Sequence, residues 1–509
     1  MMVATQLNYN KLLGELIAID DQRLASIEVS GLELDSRAIM PGDLFLALPG
    51  FAVDGRDYID KAIAAGAAAV LVEKDDNWLE IIERKGIAII PLVGLAGQVS
   101  DIAGKFYNHP SHSLALIGVT GTNGKTSCTQ LMMQLLSCLG KSCGVIGTLG
   151  NGVNGKLSES VNTTPDAVVI QRLLAEWRDQ QVDVVAMEVS SHGLEQKRVA
   201  ALQFDLALFT NLSRDHLDYH GSMQAYADSK IRLFKQPGLK QAVINADDVF
   251  ANDLSEVIAE GVNVLRYSVS GNSVGKTLGN KAAEVWAENI VYHSRGVRAD
   301  LHTPWGQFSI DSPLLGSFNL SNLLAAISCF GAMGLPVADL VAEVVHLKPI
   351  DGRMEQLKVE ADVTVVIDYA HTPDALEKAL VAMRQHSQGK LWCVFGCGGD
   401  RDQGKRPLMG AVVQRHADHV VVTSDNPRFE SAADIINQVL GGVDRPTLVE
   451  EDRDAAIDFV IANAQPGDSI LIAGKGHENY QLVGKQRIPF SDSKQARLAL
   501  LKRMAGAAL

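Results

Sequence analysis

The stretch GTNGKT, residues 121 to 126, follows an apolar run from Leu114 to Val119 and precedes a helical pattern from Gln130 to Gly140. A strand, a glycine loop and a helix in this order are typical of a phosphate-binding loop, because glycines let backbone amides converge on an anion. Lys125 adds a positive charge, and the Thr126 hydroxyl suits Mg²⁺ as a ligand. The strict P-loop pattern requires glycine where this chain has valine, so the match is irregular by one place. A glycine turn without a ligand is the less favoured alternative.

Length, composition and charge limit the possible classes. The chain has 509 residues, 47% of them hydrophobic, which predicts roughly three domains with substantial cores. The formal net charge of -14 disfavours nucleic acid and acidic membranes as partners, so local positive groups must hold any anionic substrate. The N-terminal residues lack the apolar stretch of a signal peptide, and the longest uncharged apolar run, Ala62 to Val72, is too short to cross a bilayer. Six cysteines without a C-x-x-C pair predict reduced, mostly buried thiols. We therefore expect a cytoplasmic protein without membrane insertion.

The element patterns divide the chain into three blocks, 1–97, 98–349 and 350–509. The first boundary is placed in the segment from Pro91 to Gly97, which follows a strand-like run from Gly86 to Ile90. Strands and helices alternate in the second and third blocks, which favours parallel sheets. The predicted fold class is α/β with three domains: a small N-terminal α/β domain, a central P-loop parallel-sheet ATPase-like domain and a C-terminal Rossmann-like domain.

The first block contains an apolar strand pattern from Gly42 to Leu48, an alanine-rich helix pattern from Tyr58 to Ala68 and a strand from Ala69 to Val72. The triplet Asp35-Ser36-Arg37 lies in a predicted loop before these elements. A hydroxyl beside a guanidinium suits a nucleotide base or a diphosphate. A turn with a surface ion pair is the more common use of such a triplet, so both interpretations stay open.

In the second block, two predicted strands end in polar residues. The strand from Asp183 to Val189 contains Glu188, and the strand from Leu206 to Thr210 is followed by a loop that contains His216. Ligands of open parallel sheets bind at the carboxyl edge, so Glu188, His216 and the P-loop should share that edge. Upstream, Thr164 is predicted to cap a helix that starts with proline.

Three residues of this block are candidates for a metal-dependent site. Glu188 follows an apolar strand and would be costly to bury without a cation such as Mg²⁺, although a salt bridge is the plain alternative. His216 alone is more often a solvated loop histidine. Lys230 lies four residues after Tyr226 on a predicted helix from Ser222 to Phe234. If it faced Mg²⁺, CO₂ could convert its amine to an anionic carbamate; an ordinary surface lysine is the alternative.

The third block has apolar strands that each end in a charged loop. Arg401 and Arg428 suit carboxylates, whereas Asp425 and Glu478 suit an ammonium group, so the loops together favour a small zwitterion. A rim of surface ion pairs is about as plausible from these residues alone. The stretch from Gly396 to Asp400 does not have the G-x-G-x-x-G spacing, so a dinucleotide site is only weakly supported.

Several motifs in one order resemble the Mur ligases. They are GTNGKT at 121–126, EVSSHG at 188–193, TNLSRDHLDYH at 210–220, DGR at 351–353, DYAHTP at 368–373 and DNPR at 425–428. They lie in the second and third blocks, and the first block matches more loosely, with Phe51 where many relatives have histidine. The resemblance implies an ATP-dependent ligase that adds meso-diaminopimelate to the D-glutamate γ-carboxylate of UDP-N-acetylmuramoyl-L-alanyl-D-glutamate through an acyl phosphate, in peptidoglycan precursor synthesis. The small-molecule substrates would be its partners, and we expect a monomer.

The resemblance also implies a role for each matched residue. Catalytic roles would belong to Lys125, Glu188, His216 and Lys230. ATP would contact Gly121, Thr122, Asn123, Gly124, Lys125, Thr126, Ser127, Asn319, Arg353 and Asp368. The UDP substrate would contact Leu34, Ser36, Asn162, Thr163, Thr164, Ser190, Gln196 and Arg198. Diaminopimelate would contact Arg401, Asp425, Asn426, Pro427, Arg428, Gly474 and Glu478. Mg²⁺ would be held by Thr126, Glu188, His216 and Lys230 as its carbamate.

Other functions remain possible at this point. An ATPase or kinase without ligation would need only the P-loop, and a non-catalytic nucleotide-binding module is disfavoured by intact Lys125, Glu188 and His216. Within the ligases, the alternatives are a relative that adds L-lysine or another amino acid, and a folylpolyglutamate-type ligase, which is not expected to have the DNPR string.

Overall fold

The computed structural model describes residues 26–50, 53–271, 282–293 and 295–507, together with Leu7, Asn8, Leu12 and Leu24. The chain forms two compact units. The first comprises residues 1–118, 142–207 and 229–240, and the second comprises residues 119–141, 208–228 and 241–509. The chain passes from the first unit to the second three times: within the strands Ala115–Thr120 and Leu206–Phe209, and at the start of the strand Gln241–Asn245.

The first unit contains a five-stranded sheet in the order Gly31–Glu33, Asp43–Ala47, Ala69–Glu73, Ile87–Leu92 and Ile82–Arg84. The strands are parallel except Ile82–Arg84, which is antiparallel to its neighbour. Successive strand residues point to opposite faces, so the sheet has two cores. Helix Ile59–Ala65 packs on Phe45 and Val70, and helix Leu95–Phe106 packs with Leu44 and Leu71 in the other core. The predicted small α/β domain is confirmed.

The segment from Pro91 to Gly97, where the first boundary is predicted, has secondary structure. Pro91 belongs to the strand Ile87–Leu92, and the helix Leu95–Phe106 begins inside the segment. The boundary near residue 97 stays a prediction.

The first unit also has a two-stranded sheet of Leu7–Asn8 and Glu28–Val29. Its further strands include Lys156–Ser158, Gly150–Val153, Cys143–Gly147 and Val184–Glu188. The last of these is parallel to Cys143–Gly147. Further helices of the first unit are Ala167–Asp179, Ser191–Glu195 and the second half of Met223–Phe234. The prediction that Thr164 caps the first of these helices is wrong. Asp166 is the N-cap, because its side chain directly precedes the first turn and accepts from the amides of Val168 and Val169, both at 3.0 Å.

The second unit begins with the helix that follows the P-loop, Lys125–Cys138. This helix starts five positions before the predicted pattern at Gln130, because the polar residues of its first turn, Thr126 and Ser127, are buried and give no apolar periodicity. The next strands are Gln241–Asn245, Asn263–Ser268 and Val285–His293, which are parallel, and Gly296–Thr303 and Gly306–Ser312, which are antiparallel. The helices are Leu217–His220, Ala251–Val257, Ser317–Ala332 and Val337–Ala342, and a 3₁₀ turn covers Glu343–His346.

The C-terminal part of the second unit is a doubly wound sheet. Its strand order is Glu355–Gln356, Thr364–Asp368, Ser469–Ala473, Leu391–Phe395, His419–Val422 and Leu448–Val449, all parallel except the first. One face is covered by helices Pro373–His386, Lys405–His416 and Ala432–Leu440 and the other by Arg453–Asn463 and Asp492–Ala507. The hairpin Tyr480–Val483 and Gln486–Pro489 precedes the last helix. Burial on both faces explains the continuous apolar strands, and the Rossmann-like prediction is confirmed.

The six cysteines are free thiols, and all but Cys138 are buried, as the sequence predicts. Among the residues that the structure describes, no helix is long and apolar enough to span a membrane.

Candidate active site

The P-loop lies between the strand Ala115–Thr120 and the helix Lys125–Cys138. Gly121 has a φ of 148°, and a side chain there would come within 3.0 Å of the backbone of Asn211, so glycine is required. Gly124 is the N-cap and has a φ of 88°. No side chain caps the helix, so its first amides point toward a place where an anion can bind. The loop therefore has the geometry of a phosphate cradle.

The Lys125 ammonium is held by the loop itself. Its Nζ donates to the carbonyls of Gly121 at 2.8 Å and Thr122 at 2.9 Å. These neutral carbonyls position the ammonium on the loop. A phosphate bound to the loop amides would meet this charge directly.

Two residues far along the chain brace the P-loop, and sequence reasoning missed both. The Asn211 carbonyl accepts from the Thr122 amide at 2.8 Å, and its side chain accepts from the Asn123 amide at 2.9 Å. The Thr210 hydroxyl donates to the Asn123 carbonyl at 2.6 Å. Their position at the end of an apolar strand is a signal for site residues, but in this loop only His216 was predicted to belong to the site.

Beside the P-loop is a cleft of about 590 Å³, a volume that includes its open mouth. It combines P-loop residues with residues of the C-terminal sheet. The lining residues are Asn123, Gly124, Ser127, Asn211, Phe318, Asn322, Arg353, Asp368, Tyr369, Ala370, Ala375 and Lys378. Five of the ten predicted ATP contacts thus line one cleft: Asn123, Gly124, Ser127, Arg353 and Asp368.

Arg353 and Asp368 are organised by separate contacts. Arg353 donates to the Thr126 hydroxyl at 3.3 Å, and its guanidinium lies 4.4 Å from the Tyr369 ring centre. Asp368 accepts from the amides of Met354 at 2.7 Å and Ala370 at 2.8 Å. Complete burial raises the pKa of Asp368, although Arg353 and these amides partly oppose the shift. Met354 directly follows Arg353, and Ala370 directly follows Tyr369. Asp368 therefore holds the backbone next to both Arg353 and Tyr369 in place.

Asn319 does not line this cleft, whereas Asn322 does. The buried Asn319 side chain donates to the Leu315 carbonyl at 2.9 Å and accepts from Asn322 at 3.4 Å. The two positions are one helical turn apart, so sequence alone did not distinguish the residue at the cleft from the one behind it. The predicted role of Asn319 at ATP stays a prediction.

The structure brings Asn426 and Glu478 together. The Asn426 amide donates to a Glu478 carboxylate oxygen at 2.8 Å, and Lys475 donates to both residues, at 2.9 Å and 3.1 Å respectively. Lys475 is completely buried, and sequence reasoning missed it. Glu478 therefore forms an ion pair with a buried lysine.

Asp425 and Gly474 are also in contact. A β-carbon at Gly474, which has a φ of 116°, would lie 2.5 Å from the Asp425 carboxylate. Asp425, Asn426 and Pro427 are buried, and the loop passes so close to Gly474 that no side chain fits. These residues, with Arg428, Lys475 and Glu478, are called the amino-acid rim below.

The two predicted carboxylate partners differ in their surroundings. Arg428, in the left-handed region with a φ of 52°, donates to the Gly399 carbonyl at 2.8 Å, and its backbone pairs with the hairpin strand at Leu482. Arg401 is exposed and contacts only the carbonyl of Asp400 among the hydrogen bonds that we identify in the described chain, at 3.2 Å. Arg428 is thus held in one place, whereas Arg401 is free to turn toward a ligand.

In the first unit, four predicted substrate residues form a connected group. The Thr164 hydroxyl donates to the carbonyl of Glu188 at 2.9 Å and contacts the Ser190 hydroxyl at 3.0 Å. Arg198 donates to the Thr164 carbonyl and to the side chain of Gln196. Thr164 therefore joins the strand end at Glu188 to Arg198.

Other predicted substrate residues lie apart from this network or at its margin. Thr163 contacts the hydroxyl of Thr148 at 3.0 Å, and Asn162 is exposed. Leu34 and Ser36 are partly buried near the Asp35–Arg37 ion pair, which is exposed, in agreement with the surface-pair interpretation of that triplet. Phe51 lies outside the described residues.

Glu188 and Lys230 are buried in the first unit, each with only 1% of its surface exposed. The Glu188 carboxylate accepts from the Thr148 amide at 2.8 Å and its hydroxyl at 3.2 Å. Because Lys230 is buried, the alternative of an ordinary surface lysine at this position is wrong. A buried lysine changes its protonation or its chemistry more readily than an exposed one does.

His216, in the second unit, has a φ of 53° and a side chain that is 43% exposed. Its Nε2 lies 3.4 Å from the Asp215 carboxylate. Burial raises the pKa of Asp215, but His216, His371 and Lys405 outweigh it and the net shift is downward. His216 thus stands beside an ionised carboxylate. No three His, Cys, Asp or Glu side chains of the described chain form a cluster able to hold a metal by themselves.

Comparison with known proteins adds independent information. Three family models match successive parts of the chain: the Mur ligase family catalytic domain over residues 28–107, the Mur ligase middle domain over 119–330 and the Mur ligase glutamate ligase domain over 352–476.

The curated relatives include UDP-N-acetylmuramoyl-L-alanyl-D-glutamate--2,6-diaminopimelate ligases from two bacteria. The Coxiella burnetii protein is 44% identical over 96% of this chain and 99% of its own, and the Pseudomonas aeruginosa protein is 49% identical over 92% and 94%. A solved structure of a ligase of this name is 36% identical, covers 98% of this chain and 99% of its own, and has a TM-score of 0.69. Identity at this level over nearly the whole length, with three family models in order, shows that the chain belongs to the Mur ligase family.

Proposed function

We propose that this protein is an ATP-dependent ligase that joins meso-diaminopimelate to the D-glutamate γ-carboxylate of UDP-N-acetylmuramoyl-L-alanyl-D-glutamate. The observation that carries the proposal is the 44–49% identity, over 92–96% of the chain, with relatives named for this reaction. The product would be a peptidoglycan precursor. The relatives' shared name makes L-lysine, folate and simple ATP hydrolysis the weaker alternatives.

A carboxylate does not condense with an amine at neutral pH, so it must first be activated. In the proposed reaction the γ-carboxylate attacks the γ-phosphate of ATP, which yields an acyl phosphate and ADP. The amine of diaminopimelate then attacks the acyl carbon, a tetrahedral intermediate forms, phosphate leaves and the amide remains. Lys125 stabilises the charge on the transferred phosphoryl group.

The cleft beside the P-loop supports an ATP site within the second unit. Gly121 to Ser127 would hold the phosphates, and Arg353 and Asp368 would lie near the ribose and phosphates. The contact between Arg353 and Thr126 supports this, because the guanidinium already lies beside the phosphate cradle. Asn319 would act near adenine through Asn322, with which it is hydrogen-bonded.

The amino-acid rim supports a site for diaminopimelate, which has two carboxylates and two amines. Arg428 and Arg401 would bind carboxylate, and Asp425 and Glu478 would bind ammonium. Asn426 and Gly474 complete the proposed pocket. Since L-lysine lacks the distal carboxylate, an arginine that is fixed in place would discriminate between the two amino acids.

For the UDP substrate, Leu34 and Ser36 would lie by the uridine, and Asn162, Thr163, Thr164, Ser190, Gln196 and Arg198 would lie along the muramoyl peptide. The network that joins Thr164, Ser190, Gln196 and Arg198 supports a shared role for these residues.

The candidate Mg²⁺ ligands fit the cation by their chemistry. The Thr126 hydroxyl and Glu188 carboxylate are oxygen donors, and a carbamate on the buried Lys230 would replace a positive charge with two more. His216 would complete the set. When bound, Mg²⁺ would neutralise negative charge on the transferred phosphoryl group.

Three further features are part of this proposal. The domain boundary near residue 349 falls in the gap between the second and third family models, whereas the boundary near residue 97 lies inside the first model, which extends to residue 107. Five buried thiols suit a reducing cytoplasm, where ATP is also available. We also expect the protein to act as a monomer.

The test uses purified protein with ATP, UDP-N-acetylmuramoyl-L-alanyl-D-glutamate and an equimolar mixture of meso-diaminopimelate, L-lysine and L-glutamate. We expect mass spectrometry to find one UDP-linked product, increased by one diaminopimelate residue. Phosphate release should require both the nucleotide substrate and the amino acid. Phosphate release that is indifferent to the amino acid would indicate an ATPase, and a lysine product would refute the proposed specificity.

A further inference from the structure

Arg453 has a completely buried side chain at the first position of the helix Arg453–Asn463. Its Nε and Nη2 donate to the two carboxylate oxygens of Asp492, at 2.7 Å and 2.8 Å. Its Nη1 donates to the carbonyl of Ser424 at 3.1 Å, and Nη2 also donates to the carbonyl of Ala473 at 2.9 Å. The guanidinium is therefore fixed by four hydrogen bonds, two of them to one carboxylate.

The two carbonyls belong to residues that directly precede Asp425 and Gly474. The strand that ends at Ala473 and the strand before Ser424 are not neighbours, because Leu391–Phe395 lies between them in the sheet. Arg453 thus connects two loops that no backbone ladder connects. Their spacing matters, since the Asp425 carboxylate lies 2.5 Å from where a β-carbon of Gly474 would be.

Asp492 also determines the charge behind the rim. Burial lowers the pKa of the Arg453 guanidinium, but Asp492, with smaller effects from Asp425 and Glu478, raises it above its usual value. Because Asp492 takes two of the donors, it offsets most of the charge behind the rim, and Asp425 interacts with Arg453 more weakly than Asp492 does. The Asp425 carboxylate is then available to an incoming ammonium group.

We propose that Arg453, together with Asp492, is a positioning residue that sets the spacing of Asp425 and Gly474 and so determines affinity for the amino-acid substrate. The inference rests on the proposed function. It assigns no contact between Arg453 and the substrate, because the side chain is behind the rim and inaccessible.

The chain contains a matched control at the far end of the same two helices. Arg503 donates to both carboxylate oxygens of Asp362, at 2.7 Å and 2.9 Å, and to the carbonyls of Ile461 and Ala464, at 2.7 Å and 2.8 Å. Arg503 lies on the last helix and contacts the C-terminal end of the helix Arg453–Asn463. Arg453 and Asp492, in contrast, connect the N-terminal ends of the same two helices. It differs in that its carbonyl partners lie away from the rim.

The experiment compares Arg453→Lys, Asp492→Asn and Arg503→Lys with the unmutated enzyme. KM is measured separately for ATP, the UDP substrate and the amino acid, and the melting temperature is measured for each protein. We expect KM for the amino acid to rise about tenfold or more in the first two variants, because charge-assisted hydrogen bonds are lost. KM for ATP and the UDP substrate should change less than twofold. Arg503→Lys should lower the melting temperature without changing any KM.

The proposal is overturned if a folded Arg453→Lys or Asp492→Asn enzyme keeps its KM for the amino acid, or if all three KM values rise together. An equal rise of the amino-acid KM in Arg503→Lys would also overturn it, because the effect would then be general to the helices. If Arg453→Lys does not fold, Asp492→Asn decides, since asparagine preserves the shape of the side chain. The measurement uses whichever amino acid the unmutated enzyme incorporates, so failure to use diaminopimelate counts against the proposed function alone.

Discussion

The P-loop and the amino-acid rim are both loops at strand ends in the second unit, but they are built differently. The P-loop is one contiguous stretch, and its own glycines, lysine and helix N-terminus form most of the phosphate cradle. The rim combines Asp425–Arg428 with Gly474–Glu478, about fifty positions later, and joins them through the buried cations Lys475 and Arg453.

The difference shows where each site is vulnerable. A local loop loses function when its own residues change, whereas an assembled rim also depends on residues that the ligand never touches. The P-loop is not entirely local either, since Thr210 and Asn211 brace it from almost ninety positions away.

The largest effect is expected for Lys125→Ala, which removes the ammonium from the phosphate cradle. We expect kcat to fall by roughly 10³-fold, the scale of losing a charge-stabilising donor. Binding of the UDP substrate should be unchanged, because it is assigned to the first unit. Rapid-quench measurement of acyl phosphate and calorimetric titration with the UDP substrate separate the two. Near-normal turnover, or an equal loss of substrate affinity, would mean that the role of Lys125 is wrong.

For the rim, Arg428→Ala should lower kcat/KM for meso-diaminopimelate by about 10²- to 10³-fold, the cost of truncating one side of a charge pair. The value for L-lysine should change much less, because lysine lacks the distal carboxylate. Competition between the two amino acids measures the ratio directly. Equal kcat/KM values for both amino acids in the unmutated enzyme would contradict the assignment.

Lys230 lies outside both the P-loop and the amino-acid rim, and its proposed role requires chemical modification of the side chain. Lys230→Ala should lower kcat by about 10- to 100-fold, as loss of a metal-supporting group does. The exposed Lys240→Ala is the control and should be neutral.

Carbamylation of Lys230 has a readout independent of activity. With ¹³C-labelled bicarbonate, we expect a carbamate carbon signal in the NMR spectrum that disappears in Lys230→Ala and persists in Lys240→Ala. A fully active Lys230→Ala enzyme, or a signal that survives the substitution, would refute the modification.

Asn211→Ala tests how local the P-loop is. The change removes two side-chain hydrogen bonds to Asn123, at about 1 kcal/mol each, so KM for ATP should rise by up to roughly thirtyfold. KM for the amino acid should not change. If ATP affinity is also unaffected, the loop holds its shape without the brace and the contrast with the rim is sharper than we describe.

The smallest effect concerns His477, within the rim segment. Burial, and secondarily Arg353, lower the pKa of His477 from 6.5 to about 4, and its Nδ1 has no hydrogen-bond partner among the described residues. The folded protein therefore favours neutral histidine, and this stability is present above pH 6.5 and is lost as pH falls toward 4.

We expect His477→Gln to flatten the pH dependence of the melting temperature between pH 4 and 6.5. The P-loop variant Asn211→Ala should keep the slope of the unmutated protein. Identical slopes with and without His477 would show that this histidine is not the group responsible.

The sequence predicted the elements better than their ends. Strands of the C-terminal sheet are buried on both faces and read as continuous apolar runs, so their positions were clear. Thr164 was mistaken for a cap because threonine before proline is a common helix start, whereas Asp166 makes the contacts. The polar first turn of the P-loop helix concealed its beginning, since its burial comes from tertiary packing.

By itself the sequence determined the three-domain α/β class and the P-loop, because apolar strands, glycine loops and helix patterns act over a few neighbouring residues. It also gave the order of motifs from which the family was inferred. Only the tertiary structure decided that Asn322 rather than Asn319 lines the cleft, that Asn211 braces the P-loop and that Lys230 is buried. The position of Arg453 between the loop that contains Asp425 and the loop that contains Gly474 also depends on folding. Burial and contacts between distant residues depend on how the strands order in a sheet, and no short stretch of the chain encodes that order.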